Sequence, residues 1–399
     1  MKVTKKKSLK DWLNLLETKH SKKIDLGLTR VTQVYNNLKL GKIAETVITV
    51  AGTNGKGSTV AILSSLCQKA NYKVGAFTSP HIIYFNERIK VNDQAVNDAQ
   101  IIKAFELIEC HLNHITLSYF EYATLAALII FKQQKVDICV LEVGLGGRLD
   151  SVNIVDTDCA IITTVDIDHT TWLGNDIESI AFEKAGIMRK NKPVIYGDNN
   201  CPKSIIQHAK KINAELTFAT DRNIKLYELN ILGDYQKTNA RTAITAIDKL
   251  QHIKINDEII KNALKNIKLQ GRLQIISESP TLIIDVSHNK QAAHELSLWL
   301  SNNPIEGKTI AVFAVLADKE PVDWLTEFKQ TIDVWCISSV NYDRAMPTND
   351  LLQVLSNSAK LITSFDSVRE ALSAAKEIAE ENDRILVFGS FYTVSEAMQ

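Results

Sequence analysis

At 399 residues the chain is longer than one hydrophobic core usually supports, so two domains are expected. Its 46 lysines and arginines balance 46 aspartates and glutamates, which leaves no overall field to attract nucleic acid or an anionic membrane, and neither is expected as a partner. The six cysteines (Cys67, Cys110, Cys139, Cys159, Cys201 and Cys336) form no Cys-x-x-Cys pair and no metal-ligand spacing, and read as reduced core thiols of a cytoplasmic protein.

The start, Met1–Lys10, is basic, but no apolar segment of signal-peptide length follows; Trp12, Leu13, Leu15 and Leu16 instead mark one face of a short amphipathic helix. Strand-like runs then alternate with helical or loop segments, at Thr46–Val50, Val74–Thr78, Ile138–Glu142, Ala160–Val165 and Val194–Tyr196. This alternation predicts an α/β domain whose mostly parallel sheet is covered on both faces. The longest apolar stretch, Leu125–Phe131, is far below the roughly 18 to 20 residues that cross a bilayer. A helix over Asp257–Asn266 precedes a junction expected near Leu269–Gly271. Beyond it, the runs Leu282–Val286, Thr309–Val315, Val334–Ser338 and Ile385–Phe388, with helical segments Gln291–Leu300 and Ser367–Glu380, predict a second, smaller Rossmann-like α/β domain. The expected division is 1–270 and 271–399.

The first strand runs into Gly52-Thr53-Asn54-Gly55-Lys56-Gly57-Ser58 and then into a helical pattern. Glycines there let backbone N–H groups turn around phosphate oxygens, the helix N-terminus adds partial positive charge, and Lys56 reaches the outer phosphates as a point charge. The loop is shorter than the usual phosphate-loop pattern, and Gly57 separates the lysine from Ser58; a plain glycine turn is the other reading. A transferable phosphate also calls for a divalent metal with hard oxygen ligands at the carboxyl ends of neighbouring strands. Glu142 ends one such strand, although a carboxylate there also serves as a helix cap or ion-pair partner. Ser79 in FTSPH and His169 in VDIDHTTWLG each follow another strand on the edge where α/β sheets bind ligands, although a lone histidine is more often a structural hydrogen-bonding group.

Taken together, GTNGKGS, FTSPH, SYFEYATLAAL, LEVGLGGRLDSVN, DHTTWLG, EKAGI, GRLQ and DVSHN resemble the folylpolyglutamate synthase/dihydrofolate synthase family of the Mur ligase superfamily, from about His20 to the terminal GSFYTVSEAM. The resemblance implies a P-loop-containing ATP-binding domain followed by a glutamate-ligase domain. It also implies an ATP-dependent ligase joining L-glutamate to dihydropteroate and to reduced folates, with folylpolyglutamate synthesis alone as the alternative. Thr53, Asn54, Gly55, Lys56, Gly57 and Ser58 would hold ATP, with Asn239, Arg272 and Asp285 approaching the nucleotide and His288 close by. Ser79, Glu142 and His169 would ligate Mg²⁺, two ions being expected, and Lys184 in EKAGI would be carbamylated. Ile24, Asp25 and Leu26, with Ser118, Tyr119, Phe120, Glu121, Leu149 and Asp150, match positions around the pterin. Lys56, Lys184 and His288 are the candidate catalytic residues. A monovalent cation is a further candidate cofactor, and a monomer acting on small molecules is expected, with a hinge near Gly271.

Without the resemblance, Lys184 reads as a helix-surface lysine paired with Glu183 or another acid. Lys290, Ala314 and Glu320 depart from the family pattern near the second-domain site. Chemically, a carboxylate has a poor leaving group, and phosphorylation by ATP supplies a good one; glutamate's amine then attacks the acyl phosphate. A cell-wall precursor ligase would need an N-terminal domain, for which the roughly fifty residues before Gly52 are too few. A nucleotide switch or motor would not need the second domain with Asp285 and His288.

Overall fold

The structure, a computed structural model, describes residues 7–22, 24–224, 227–356 and 359–399; the first six residues of the basic start lie outside them. The chain divides into two compact units, Met1–Glu228 with Thr238–Ile267, and Leu229–Lys237 with Lys268–Gln399. Residues 229–237 go with the second unit, where Tyr235 packs against the hydrophobic core.

The first unit is built on an eight-stranded sheet: β1 (Thr46–Ala51), β2 (Val74–Phe77), β3 (Ile89–Val91), β4 (Gln94–Ala95), β5 (Ile138–Glu142), β6 (Cys159–Ile162), β7 (Pro193–Tyr196) and β8 (Glu215–Phe218). Their order is β4-β3-β2-β5-β1-β6-β7-β8. The strands from β2 through to β8 in that order run parallel, and β3 and β4 add an antiparallel hairpin at one edge. β1 and β5 are buried at every residue, as continuous apolar strands covered on both faces should be. The helix Tyr119–Gln134 is buried at every residue from Glu121 to Phe131, so the longest apolar run of the sequence is a core helix. Among the described residues no helix is long and apolar enough to cross a membrane. At the N-terminus Leu9, Trp12 and Leu16 bury one face of the helix Leu9–Lys19, which Ser8 and Asp11 start with a capping box.

The second unit holds a six-stranded sheet: β9 (Gln274–Glu278), β10 (Thr281–Ile284), β11 (Thr309–Phe313), β12 (Val334–Ile337), β13 (Ile362–Ser364) and β14 (Arg384–Phe388), in the order β13-β12-β11-β14-β10-β9. Only β9 runs antiparallel. Its core gathers Phe313, Trp324, Phe328, Trp335 and Phe388. The fold is thus a P-loop-containing, mostly parallel α/β domain joined to a smaller Rossmann-like α/β unit. The predicted strand over Ala160–Val165 stops at Ile162, because the next residues turn to serve the neighbouring loop. All six cysteines are free thiols, but the expectation that all are core residues holds for four: Cys110 is exposed and Cys201 half-buried.

Candidate active site

In the first sheet β1 lies between β5 and β6, with β2 beyond β5. The carboxyl ends of these four strands therefore bring the glycine loop, Glu142, Ser79 and the segment leading to His169 to one edge. The loop is fixed by its backbone. Gly52 has φ +150°, and a Cβ there would overlap Thr163 Oγ1 and stand 3.2 Å from Thr163 N. Gly55, at φ +84°, caps the helix Lys56–Lys69, and its Cβ would overlap Asn239 Oδ1. Thr53 N donates to Thr164 O at 2.8 Å, Asn54 N to Thr164 Oγ1 at 3.1 Å, and Thr163 Oγ1 to Asn54 O at 2.5 Å. Thr53 Oγ1 accepts from Asp166 N at 3.0 Å.

The loop's N–H groups at Thr53 and Asn54 thus scaffold the turn, while those of the following helix's first turn cannot be satisfied within the helix and suit an anion. Lys56 Nζ curls back to Gly52 O at 2.9 Å and Thr53 O at 3.0 Å. The hydroxyls of Ser58 and Thr59 are buried without a hydrogen-bond partner. Such orphans in a helix's first turn are what a phosphate or its cation would satisfy.

Glu142, buried, accepts from Ser79 N at 3.1 Å through Oε2, and a Cβ on Gly57 would stand 3.6 Å from the same oxygen. Its carboxylate therefore lies between the β2 loop and the first turn of the phosphate-loop helix. His169, left-handed at φ +54°, precedes the short helix Thr170–Leu173 with its Nε2 3.9 Å from Asp168 Oδ2. Among the described residues no three His, Cys, Asp or Glu side chains gather as a metal-binding group; the expected set contains only two such side chains and a serine. Its hydroxyl and carboxylate oxygens are hard donors, which suits Mg²⁺ or Mn²⁺.

Lys184 lies near the end of the helix Ile177–Ala185, which Asp176 caps by accepting from Ser179 N at 2.9 Å. It is not a surface lysine: it is buried, and Glu183 pairs instead with Arg148 at 2.8 Å. Burial, with Lys56 adding to it, pulls the Lys184 amine down to about 7, against the opposing field of Asp168.

The residues matched to the pterin also share the first unit. Ser118 and Glu121 form a capping box on the helix Tyr119–Gln134: Ser118 N donates to Glu121 Oε2 at 2.7 Å, and Glu121 N to Ser118 Oγ at 3.4 Å. Glu121 Oε1 accepts from Arg30 at 3.2 Å, so both oxygens of this buried carboxylate are engaged within the protein. Arg30 also binds Asp25 Oδ2 at 2.9 Å, and His20 Nε2 lies 3.1 Å from that oxygen. His20's hydrogen bond and the Arg30 charge hold the Asp25 carboxyl below the usual range. Gly27 N donates to Leu149 O at 3.2 Å, bringing the half-buried Ile24–Leu26 segment to Leu149. Phe120 packs at a tilt against Phe77 with centroids 5.7 Å apart, and a Cβ on Gly144 would run into its ring. Tyr119 meets Phe85 edge-on, and burial pushes its phenol up to about 12. Asp150 caps the turn Ser151–Ile154 and accepts from Leu145 N at 2.8 Å and Val152 N at 3.0 Å; burial pushes its carboxyl up to about 6.

In the second unit Asp285 follows β10, buried, accepting from Leu273 N and Ser287 N at 2.8 Å each and from the Ser287 hydroxyl. The Arg272 guanidinium stands 5.2 Å over the Phe391 ring, and His288, 6.1 Å from that ring, meets Val286 O at 2.7 Å through Nδ1. Arg272, Asp285 and His288 thus cluster at the carboxyl ends of β10 and β14. Tyr235 belongs to this cluster: burial and the charge of Asp285 push its phenol well above the usual range. Of the family-pattern departures, Lys290 is an exposed first residue of the helix Lys290–Asn302, Ala314 is buried, and Glu320 is left-handed at φ +45°.

Sequence reasoning passed over His20, Arg30, Thr163, Thr164 and Tyr235. The Ser-x-x-Glu spacing in SYFE carried a legible capping-box signal; Thr163, Thr164 and Tyr235 depend on partners far away in the chain, and His20 and Arg30 each join a distant partner to Asp25, five residues away.

Comparison with known proteins fits this geometry. Residues 50–275 match the Mur ligase middle domain, and residues 271–391 the Mur ligase glutamate ligase domain. The dihydrofolate synthase/folylpolyglutamate synthase of Escherichia coli strain K12 is 40% identical over 405 residues, covering 98% of this chain and 95% of the relative. The chain belongs to the dihydrofolate synthase/folylpolyglutamate synthase family of Mur ligases. Escherichia coli FolC in complex with DHPP and ADP superposes with a TM-score of 0.93 at 40% identity, covering 98% of this chain and 97% of that one. A bifunctional folylpolyglutamate synthase/dihydrofolate synthase with Mn, AMPPNP and L-glutamate bound superposes with a TM-score of 0.91 at 37% identity, covering 98% and 97%. Members of this dihydrofolate synthase/folylpolyglutamate synthase family therefore share both units of the fold with this chain.

Proposed function

We propose that the protein is an ATP-dependent ligase that adds L-glutamate to dihydropteroate, giving dihydrofolate, and to reduced folates, giving folylpolyglutamates, through an acyl phosphate. The observation that carries this reading is the likeness along both units to family members named for the two activities, joined to a glycine loop poised at a helix N-terminus beside buried Glu142. ATP binding is assigned to residues 1–270 and glutamate ligation to 271–399, in keeping with the two family matches.

Thr53 to Ser58 would cradle the phosphates, and Lys56, released from its loop carbonyls, would hold the γ-phosphate in line with the substrate carboxylate. Asn239, Arg272 and Asp285 are assigned to the nucleotide. Ser79, Glu142 and His169 would hold magnesium, two ions being expected, whose charge would neutralise the phosphate oxygens. Arg272 and His288 offer a cation and an imidazole to the second half of the reaction, in which glutamate's amine displaces phosphate from the activated carbonyl.

Lys184 is assigned as a carbamate. An amine held near neutrality is partly unprotonated, so it attacks CO₂ and releases a proton, turning a buried cation beside Lys56 into an anion with hard oxygen acceptors. ¹³C NMR under ¹³CO₂ should show a carbamate resonance that the Lys184→Ala variant lacks, together with loss of most activity; small carboxylic acids should restore part of it. An absent resonance with near-normal activity of the variant would reject the modification.

The decisive experiment measures phosphate release from ATP with dihydropteroate or tetrahydrofolate, each with and without L-glutamate. Release requiring both pteroyl acid and glutamate is expected. Equal release with neither would replace the ligase with a simple ATPase, and dihydropteroate that is neither used nor competing would leave folylpolyglutamate synthesis alone.

A further inference from the structure

Resting on the reading that Asp25 faces the pteridine, we infer that Arg30 and His20 are positioning residues: they hold Asp25 by one carboxylate oxygen and leave the other to accept from the pteridine's amino-pyrimidine edge. Oδ2 of Asp25 takes both strong donors, Arg30 Nη1 at 2.9 Å and His20 Nε2 at 3.1 Å. Oδ1 meets Lys22 Nζ at 3.5 Å, the outer limit of a hydrogen bond, from a side chain that is 67% exposed. A substrate N–H can displace such a contact easily.

The same two residues anchor the segment at both ends. Arg30 Nη2 donates to Asp25 O at 2.8 Å and to Glu121 Oε1 at 3.2 Å, while Glu121 Oε2 takes Ser118 N. The second ring nitrogen of His20 meets Thr116 Oγ1 at 3.0 Å. Asp25 is thereby tied to the turn that opens the helix Tyr119–Gln134, the other segment matched to the pterin. One guanidinium lies between two carboxylates, and removing it would set Asp25 and Glu121 repelling each other. The planar fork spans both, whereas a lysine at position 30 offers a single point charge.

The ligand chemistry follows. A 2-amino-4-oxopyrimidine ring presents a ring N–H and an amino group side by side, and an ionised carboxylate of fixed orientation discriminates for them. A substrate lacking the amino group should forfeit the contact that Arg30 and His20 set up.

The test compares wild type with Arg30→Ala, Arg30→Lys, His20→Ala and His20→Gln, using dihydropteroate and its 2-desamino counterpart, with equilibrium binding of each pteridine measured beside turnover. Arg30→Ala, Arg30→Lys and His20→Ala should raise KM for dihydropteroate about tenfold or more while kcat stays within about threefold. KM for ATP should be unchanged, and the preference for the amino-bearing substrate should collapse toward one. His20→Gln, whose amide can still donate to Oδ2, should keep most of the preference. Equal losses on both substrates, or an undiminished preference in Arg30→Lys, would overturn the inference; that milder variant decides should Arg30→Ala fail to fold. A wild type that binds no pteridine overturns the underlying functional reading as well, whereas an active wild type with unaffected variants overturns this inference alone.

Discussion

The phosphate loop and the pteridine-side cluster occupy the same unit and are built on opposite principles. The loop is a backbone device: Thr53 and Asn54 are held against Thr163–Asp166 by main-chain and hydroxyl bonds, with Gly52 and Gly55 where a methyl would not fit. The cluster is a side-chain device in which one guanidinium balances two carboxylates, and Arg30 and Glu121 lie 91 positions apart. A backbone cradle should therefore fail through sterics and take nucleotide binding with it, whereas a charge network should fail through neutralisation and leave the nucleotide half intact.

The largest expected effect is at Lys56. Lys56→Ala should lower kcat/KM by about a thousandfold or more, because the ammonium meets charge that develops on the transferring phosphate. The melting temperature should stay within about 2 °C, since the hydrogen bonds of the amine to the Gly52 and Thr53 carbonyls lie within its own loop and tie no other element to the fold. Turnover and thermal unfolding measured on the same sample check both halves, and a near-normal kcat would remove Lys56 from the chemistry. Next in size, Gly52→Ala should cost about 2 to 4 kcal/mol of stability and abolish nucleotide binding, as the added methyl overlaps Thr163 at a φ that alanine resists. Adding Thr163→Ala should recover part of the urea midpoint.

Neutralising the cluster should do less. Glu121→Gln keeps a carbonyl oxygen for Ser118 N but leaves the Arg30 charge with Asp25 alone, for a loss of about 1 to 2 kcal/mol in urea unfolding and no change in nucleotide affinity. If this variant lost ATP binding as Gly52→Ala does, the two regions would not be separable.

That contrast also explains what could be read from the residues alone. The central strands and the phosphate loop were legible because their signals are local: apolar runs ending in a glycine cluster and a lysine. The edge strands β3, β4 and β13 span only two or three residues, too short for a periodic signal, and the exposure of β8 and β9 hides an apolar pattern. At the site, Ser79 and Glu142 were named from strand ends and meet in the fold, whereas Arg30 and His20 carried no local mark. Glu121 was matched to the pterin, yet its two oxygens cap a helix and bind Arg30, a use that only the tertiary partner reveals. Burial of Lys184 was equally hidden, because EKAGI reads as an ordinary charged helix until Gly147 is seen packed against the Lys184 backbone.

The last effect, spread over a pH window rather than read at one pH, concerns Asp150, at the end of the loop that Glu142 opens and that carries Leu149. Its carboxyl is fully enclosed and titrates near 6, against about 4 in an unfolded chain, because burial outweighs the N–H groups of Val152, Leu145 and Gly144. Between those pH values the folded chain keeps a proton that the unfolded chain has released. Stability contributed by this group is therefore complete below about pH 4 and is lost as pH rises through 6. Asp150→Asn does not titrate, so its stability relative to wild type should rise over the same window, by about 1 kcal/mol per pH unit where the slope is steepest. Other groups titrate alike in both proteins and cancel in the difference. Urea unfolding at half-unit steps from pH 4 to 7 measures it. A constant difference would mean that the three N–H groups offset the burial of the charge, making the loop end at Asp150 a backbone device like the phosphate loop; a rising one places it with the charge-balanced cluster.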